Sequence, residues 1–297
     1  MKRSLLRSKL VLLLATVSLT SVTAPTTALA EDEKTMWKPE WRESSWADWG
    51  TTLATGFGGI AFQLWLDPPS DPNWDGPILL DAHARSAFRL TSRSARDDAN
   101  LVSDIAWFSA MAYPVLVDTW IVALGIHGDA KLAGEMFAMQ TQGMAAITFI
   151  NSLLVKTIGR ARPALDRCTS EGDAYSDICI GNERNQSMPS GHTALASAAA
   201  GLTCSIHSEL DLYGDGPGGT IACLGTILLA ATTGASRIAS DRHWFSDVIV
   251  GGGLGFAVGY FLPKWLHFDW NDSDEGQYSI FPYSDGEAMG VGLLGTL

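Results

Sequence analysis

Basic residues are scarce in this sequence. Its 297 residues include 20 Lys and Arg against 32 Asp and Glu, which gives a formal net charge of −12. A general nucleic-acid binder needs a basic surface to neutralise phosphates, so that function class is excluded. Charged residues are also few, at 18%, while 46% of the residues are hydrophobic, and this balance excludes a disordered chain.

Metal-binding patterns are absent from the sequence as well. The four cysteines form no Cys-x-x-Cys pair, and no histidine stands at a zinc-finger distance from them. Cys168 and Cys179 share one polar loop and could form a disulfide. Cys204 and Cys223 lie in successive apolar segments and could form a second one, or could be small buried hydrophobic residues. We therefore expect no metal and no other cofactor.

The first 30 residues have the pattern of an export signal. Met1–Lys9 is basic, Leu10–Leu14 opens a short apolar core, and Ala28-Leu29-Ala30 supplies the small residues that a signal peptidase recognises. The apolar core is short for a membrane span, which favours a cleaved signal over an uncleaved anchor. Export would place the chain in an oxidising compartment, where cysteines pair.

Composition then divides the chain into four segments. They are the signal at 1–30, a tryptophan-rich and polar helical region at 31–100, a helical core at 101–265 and a tail at 266–297.

Three of these segments contain local signals. The tryptophans within 31–50 suit a helix at the membrane interface or a helix packed on the domain. Residues 81–100, with four arginines, predict a solvated helix and its loop. The tail permits a small β-hairpin on either side of Ser284-Asp285-Gly286.

Five long apolar blocks dominate the core. They are Leu101–Ile126, Met136–Val155, Thr193–Ile206, Gly218–Ala235 and Val248–Pro263. None alternates with a period of two and all exceed the usual strand length, so each predicts a helix. Their many small residues allow close helix packing. We expect an all-α bundle of five or six apolar helices embedded in a membrane, with a soluble periplasmic bundle as the alternative.

Three polar clusters stand where these blocks end or begin. The first extends from Lys156 to Pro163, the second is Pro189-Ser190-Gly191-His192, and the third extends from Ser236 to Asp247. One helix hairpin separates the second cluster from the third. All three clusters can therefore meet at the same end of the bundle.

The residue types in these clusters point to phosphoryl transfer through a histidine. His243 and Asp247 are i and i+4 on a helix, so the carboxylate can hold one ring nitrogen and leave the other to attack. The tetrad that ends in His192 is typical of a helix start, where an anion can approach backbone N–H groups. Arg162 and Arg237 offer forks that match phosphate oxygens.

Other polar residues in the chain have weaker roles. Arg160 and Lys156 are further cations near the same site. The remaining histidines lie outside these polar clusters and are expected to be structural; they are His83, His127, His207 and His267.

This set of motifs resembles the type 2 phosphatidic acid phosphatase and vanadium haloperoxidase superfamily. The family pattern is Lys-x6-Arg-Pro, then Pro-Ser-Gly-His, then Ser-Arg-x5-His-x3-Asp. The second and third motifs match in full, and the resemblance covers roughly residues 100–265. It implies a metal-independent phosphatase with an all-helical core.

The same resemblance implies a role for each matching residue. His243 would form a phosphohistidine, His192 would protonate the leaving oxygen, and Asp247 would orient His243. The phosphate would be held by Arg162, Arg237, Ser190 and Gly191.

The first motif departs from the family pattern by one position. Five residues, not six, separate Lys156 from Arg162, and Val155 occupies the position of the lysine. One step along a helix rotates a side chain by about 100°. Either Lys156 is long enough to reach the phosphate, or Arg160 compensates for it.

These observations lead to one function and three alternatives. We expect a phosphatase of phosphomonoesters or diphosphates, with a phosphorylated lipid or another phosphate ester as its partner. The alternatives are a vanadate-dependent haloperoxidase, a phosphotransferase on the same site, and a non-catalytic membrane scaffold.

The order of the spans predicts the orientation of the site. Thr51–Leu66 is a marginal span, and we expect it to pack against the bundle or to dip into the interface rather than to cross. After a cleaved signal, this puts the site on the periplasmic face of the inner membrane. The positive-inside rule argues for the opposite orientation, because the loop at His207–Gly218 has no base.

Overall fold

A computed structural model describes residues 35–168, 176–179, 181, 183–269, 278–284 and 289–295. The predicted signal at 1–30 lies outside them. Helices α1 to α8 have the bounds Trp46–Trp65, Asp81–Phe88, Arg93–Ala112, Ala130–Ile158, Ser176–Cys179, Gly191–Glu209, Gly218–Ala239 and Phe245–Pro263. Helix α3 continues as a π-helix at Tyr113–Ile126, and α8 does so at Lys264–Phe268. A 3-10 turn at Pro163–Arg167 follows α4.

Helix α6 is the centre of the bundle, because nearly every residue from Thr193 to Ile206 is buried. Helix α8 lies directly against it in the same direction. A Cβ added at Gly255 would lie 2.0 Å from the carbonyl oxygen of Ala194, and one added at Gly259 would lie 2.0 Å from that of Ala198. These glycines therefore let the two backbones touch. As a result, α6 and α8 begin side by side at one end of the bundle.

The outer surface of the bundle is strongly apolar. Three described helical runs are long and apolar enough to cross a membrane: Arg93–Ile126, Gly218–Ala239 and Phe245–Phe268. On two of them, Phe108 is 64% exposed and Leu228 is 67% exposed. Lipid is the favourable surrounding for such a surface. The prediction of an all-helical membrane bundle is confirmed.

Helix α1 lies along α4 and runs in the same direction. Near the start of α4, the N–H of Ser44 donates to the Glu135 carboxylate at 2.9 Å. Farther along, the rings of Phe62 and Phe149 are 5.3 Å apart. The segment Thr51–Leu66 thus packs against the bundle, but α1 has 20 residues and a length of about 30 Å, enough to cross a membrane. Residues before α1 lie at the end of the bundle where α4 begins.

The tryptophans within 31–50 differ in their burial. Trp37 and Trp41 are buried against Phe268 at the end of α8. Trp46 is 91% exposed. The helix begins only at Trp46, because Ser45 and Asp48 form a capping box there. The expected helix over 31–50 is therefore wrong for its described part before Trp46.

Covalent links and the tail complete the fold. Disulfides join Cys168 to Cys179 and Cys204 to Cys223, so both candidate pairs are bonded. The tail contains the hairpin that the sequence permits. Its strands β1 and β2, Tyr278–Ser284 and Met289–Gly295, pair in antiparallel register.

Candidate active site

The three sequence clusters meet at the end of the bundle where α6 and α8 begin. A pocket of about 380 Å³ lies between the end of α4, the start of α6 and the loop between α7 and α8. The motif residues that line it are Arg162, Pro189, Gly191, His192, Arg237 and His243. The convergence predicted from the order of the helices is present in the fold.

His243 is buried in the loop between α7 and α8. Its Nδ1 lies 2.7 Å from the carbonyl oxygen of Ser187. A carbonyl oxygen only accepts, so Nδ1 carries the proton and Nε2 keeps the lone pair. Burial, followed by the charge of Arg162, lowers the pKa of His243 to about 4. At neutral pH His243 is therefore an uncharged imidazole with a lone pair for attack.

Asp247 stands behind His243 but acts on it indirectly. Its Oδ2 is 3.8 Å from Nδ1 of His243, too far for a hydrogen bond. The same oxygen accepts from Oγ of Ser187 at 2.5 Å and from the N–H of Trp244 at 2.8 Å. Because Ser187 also offers its carbonyl to His243, Asp247 orients the ring through Ser187.

Arg160 lies between two buried carboxylates and does not line the pocket. Its Nη1 donates to Asp247 at 2.6 Å, and its Nη2 donates to Asp81 at 2.6 Å. All three side chains are fully buried. The guanidinium group also lies 4.3 Å from the centre of the Trp74 ring. Arg160 is thus a partner of Asp247 and not a further phosphate cation that compensates for Lys156.

Helix α2 braces the loop that carries His243 and the first turn of α8. Asp81 accepts from the N–H and from the Oγ of Ser246, both at 2.8 Å. Burial acts to raise the pKa of Asp81, but hydrogen bonds from backbone N–H groups and from Arg160 outweigh it and lower that pKa. Arg85 donates to the carboxylate of Asp241 in the same loop, at 2.7 and 3.0 Å. The prediction of a solvated helix within 81–100 is therefore wrong for Asp81 and Arg85, whereas His83 and Ser86 of α2 are exposed.

The two arginines of the motifs are fixed at the pocket wall. Nε of Arg162 donates to the carbonyl of Glu183 at 2.9 Å, and its Nη2 is 3.2 Å from the Glu183 carboxylate. Nη1 of Arg237 donates to Oδ1 of Asn100 at 2.6 Å, and its Nη2 is 2.9 Å from Nδ1 of His192. Guanidinium groups held in this way are suited to bind phosphate oxygens.

Lys156 does not reach this pocket. It is buried, whereas its neighbour Val155 lines the pocket wall. The offset in the first motif turns the lysine away, since one helical step is about 100°. Arg242, directly before His243, lines the pocket instead and lies 3.9 Å from the Glu183 carboxylate.

The start of α6 offers backbone donors to the pocket. Gly191 begins the helix and lines the pocket, so a ligand can approach its backbone closely. Ser190 is the N-cap and is fully buried, with its Oγ 2.9 Å from Oγ1 of Thr193. The N–H of Ser190 donates to the carbonyl of Asp247 at 3.1 Å, which ties α6 to α8. The side chain of Ser190 is therefore a structural element beside the pocket.

Helix α3 supplies pocket residues that no motif contains. Asn100 and Asp104 line the pocket, and Oδ1 of Asp104 lies 3.3 Å from Nε2 of His192. A sequence signal for this role exists: Asp104 interrupts the apolar block Leu101–Ile126. An acidic residue inside a spanning helix is costly and indicates a function. Among the described residues, no group of three or more His, Cys, Asp or Glu is placed to hold a metal ion.

Comparison with known proteins identifies the motif-bearing segment. The PAP2 superfamily profile matches residues 141–271. A lipid A 1-phosphatase of Porphyromonas gingivalis is 33% identical over 154 residues, which are 52% of this chain and 28% of that protein. The phospholipid phosphatase-related protein type 5 of Mus musculus is 35% identical over 92 residues, 29% of each chain.

A third relative is similar over a comparable length. The phospholipid phosphatase-related protein type 1 of Homo sapiens is 36% identical over 92 residues, which are 29% of this chain and 28% of that protein. The chain thus spans less than a third of the length of each of these relatives. No solved structure matches it. Residues 141–271 thus match the PAP2 superfamily in their profile, in their motifs and in their helical fold.

Proposed function

We propose that the chain is a phosphatase that releases phosphate from lipid phosphates, without a metal ion, through a phosphohistidine at His243. The observation that carries this proposal is the state of His243. Its Nδ1 is committed to the carbonyl of Ser187 at 2.7 Å, so Nε2 keeps a lone pair beside the arginines of the pocket. This arrangement favours nucleophilic attack on a bound phosphoryl group.

The reaction has two halves. Arg162, Arg237 and Arg242 bind the phosphate, with backbone N–H groups at the start of α6. Nε2 of His243 attacks phosphorus; as the N–P bond forms, the P–O bond breaks and the leaving oxygen takes a proton from His192. Water then attacks the phosphohistidine and His192 accepts a proton from this water; as the new P–O bond forms, the N–P bond breaks, Nε2 of His243 regains its lone pair, and inorganic phosphate leaves.

Two observations favour a lipid as the substrate. The relative in Porphyromonas gingivalis is named for a lipid phosphatase activity. In addition, an apolar cleft of about 400 Å³ lies between α1 and α4 and includes Phe57, Ile60 and Met144. One helical turn beyond Ile60, Gln63 lines the catalytic pocket. An acyl chain in this cleft would therefore lead to the phosphate site.

The chain is a membrane protein, and we propose that its pocket faces the periplasm. The Cys168–Cys179 disulfide supports this orientation, because it follows Arg162 at the pocket end and disulfides persist in oxidising compartments. The Cys204–Cys223 bridge joins α6 to α7 within the bundle and does not discriminate. The many arginines at the pocket end argue the other way under the positive-inside rule.

The direction of α1 constrains this proposal. If α1 crosses the membrane, residues before it and the pocket lie on opposite faces. A periplasmic pocket then puts residues 35–45 in the cytoplasm, and a cleaved export signal cannot have delivered them outside. If α1 crosses the membrane, a cleaved export signal and a periplasmic pocket therefore exclude each other. The Cys168–Cys179 disulfide favours the periplasmic pocket.

Phosphate release by the purified full chain in detergent tests the function. The substrates are a glycerolipid phosphate, a lipid A with a 1-phosphate and an aryl phosphate, all in the presence of EDTA. We expect release that the chelator does not stop and that His243→Ala abolishes. His83→Ala, at an exposed position on α2, is the matched control and should leave release unchanged.

Other outcomes would overturn the proposal in recognisable ways. Release that EDTA abolishes would refute the metal-free mechanism. Phosphoryl transfer to an added alcohol in place of water would identify a phosphotransferase. Halide oxidation that needs vanadate, without phosphate release, would identify a haloperoxidase. No turnover on any substrate would favour a scaffold.

A further inference from the structure

Helix α3 holds His192 with two side chains that lie outside the family motifs. The ring of Trp107 packs on the imidazole ring, with centroids 4.7 Å apart. Oδ1 of Asp104 lies 3.3 Å from Nε2 of His192. Both residues precede the segment that matches the superfamily profile, which begins at residue 141. The family pattern therefore gives no role to either of them.

The contacts of His192 distinguish its two ring nitrogens. Nη2 of Arg237 is 2.9 Å from Nδ1 and 3.3 Å from Nε2. A guanidinium group only donates, so the nearer nitrogen, Nδ1, is the acceptor. The proton of the neutral ring is then on Nε2, which faces the Asp104 carboxylate. Since Arg237 also binds the phosphate in the proposed reaction, Nδ1 is the nitrogen on the phosphate side.

The charges around His192 explain why a carboxylate is needed. Arg237 on α7 and the loop residues Arg162, Arg242 and His243 line the same pocket. Burial, and after it this positive charge, opposes protonation of His192, which must carry an extra proton to act as an acid. Glu183, the other acidic residue of the pocket, is engaged with Arg162 at 3.2 Å. Asp104 supplies the negative charge at His192 itself, and the same Oδ1 also lies 3.5 Å from Nη1 of Arg237.

We infer that Asp104 and His192 form a dyad in which Asp104 accepts the Nε2 proton and Nδ1 exchanges a proton with the substrate. The inference rests on the proposed phosphatase function. In the first half-reaction, Nδ1–H gives its proton to the leaving oxygen as the P–O bond breaks. In the second, Nδ1 takes a proton from the attacking water. Asp104 is a positioning residue, because it acts through His192.

The dependence on the leaving group tests this dyad. An alkoxide such as that of a lipid phosphate needs a proton to leave, whereas 4-nitrophenolate leaves without one. For Asp104→Asn we expect kcat on a lipid phosphate to fall about 10²-fold, at the low end of acid catalysis because His192 remains. The change on 4-nitrophenyl phosphate should be much smaller. KM should stay the same or fall, since a negative charge leaves an anion pocket.

Two controls separate this role from a structural one. Asp97→Asn, at an exposed position on the same helix, should leave kcat on both substrates unchanged. Asp104→Glu keeps the carboxylate and should retain most of the wild-type rate on the lipid phosphate. In a His192→Asn background, Asp104→Asn should cost nothing more. An added loss in that background, or an equal loss on both substrates, would overturn the dyad and favour a purely structural contact with Arg237. A wild-type chain that releases phosphate from neither substrate would instead refute the proposed function.

Discussion

Replacing Arg160 with methionine tests whether this residue is a buried partner of Asp247 or a phosphate-binding cation that compensates for Lys156. Arg160 is fully buried and donates at 2.6 Å to both Asp81 and Asp247. Methionine keeps much of the side-chain stem but removes the charge. Two buried carboxylates would then lose their shared cation.

The expected cost follows from the partners that remain. Breaking a buried ion pair by removing one member costs about 3–5 kcal/mol. Asp81 keeps its bonds from Ser246, and Asp247 keeps those from Ser187 and Trp244, so we expect the lower end, about 3 kcal/mol. At about 2–4 °C per kcal/mol, the Tm should fall by about 6–12 °C. Because Asp247 orients the nucleophile through Ser187, kcat should fall as well.

Thermal unfolding in detergent, followed by circular dichroism, and phosphate-release kinetics measure these effects. KM should change little, since Arg160 does not line the pocket. Arg93→Met, on the exposed side of α3, should leave Tm, kcat and KM unchanged. A raised KM with an unaltered Tm would refute the structural role of Arg160, because it would mean that Arg160 binds phosphate directly.

Three further predictions concern pH, packing and topology. Because burial and Arg162 lower the pKa of His243 to about 4, and the attacking nitrogen must be unprotonated, kcat/KM on 4-nitrophenyl phosphate, whose leaving group needs no proton from His192, should hold as pH falls through 6.5 and decline only near pH 4; a midpoint near 6.5 would contradict this. Gly255→Ala should destabilise the bundle by about 1–3 kcal/mol or more, because its Cβ would meet α6 at 2.0 Å, while Gly253→Ala, with nothing within 4 Å, should be neutral in thermal unfolding. After mild reduction of intact cells, an impermeant thiol reagent should label Cys168 and Cys179; labelling only after lysis would place the pocket in the cytoplasm.

The meeting of the motifs could be predicted from the sequence because it follows from helix parity. The tetrad that ends in His192 begins one helix, and Arg237 ends the next, so both lie at the same end of a hairpin. Arg162 follows the apolar block before this hairpin, so the order of the blocks places it at the same end. For this reason the residue types that line the pocket, and the chemistry they favour, could be predicted from the sequence.

The contacts that hold the pocket residues in place could not be predicted from the sequence, because they come from single residues without a fixed spacing. Asp81 reaches Ser246 across 165 positions of the chain, and Arg237 meets Asn100 across 137. Arg160 and Arg162 differ by two positions, yet one faces buried carboxylates and the other the pocket. Only the tertiary path after α4 decides between them.

That α1 is long enough to cross a membrane could not be predicted from the sequence either. Its glycines lower the mean hydropathy that marks a span, but two of them are there for close contact: an added Cβ at Gly58 would lie 3.1 Å from the Phe149 ring, and one at Gly59 would lie 2.8 Å from the Phe149 nitrogen. The glycines of α1 therefore indicate close helix packing, although by mean hydropathy the same residues make α1 a marginal membrane span.

Trapping the intermediate tests the proposed role of His243 most directly. The full chain is mixed with a ³²P-labelled lipid phosphate, quenched in alkali within the first turnover, and digested for mass spectrometry. We expect an acid-labile, alkali-stable phosphoryl group on His243, absent from His243→Ala. Turnover that persists in His243→Ala, or label on another residue, would contradict a phosphohistidine at this position.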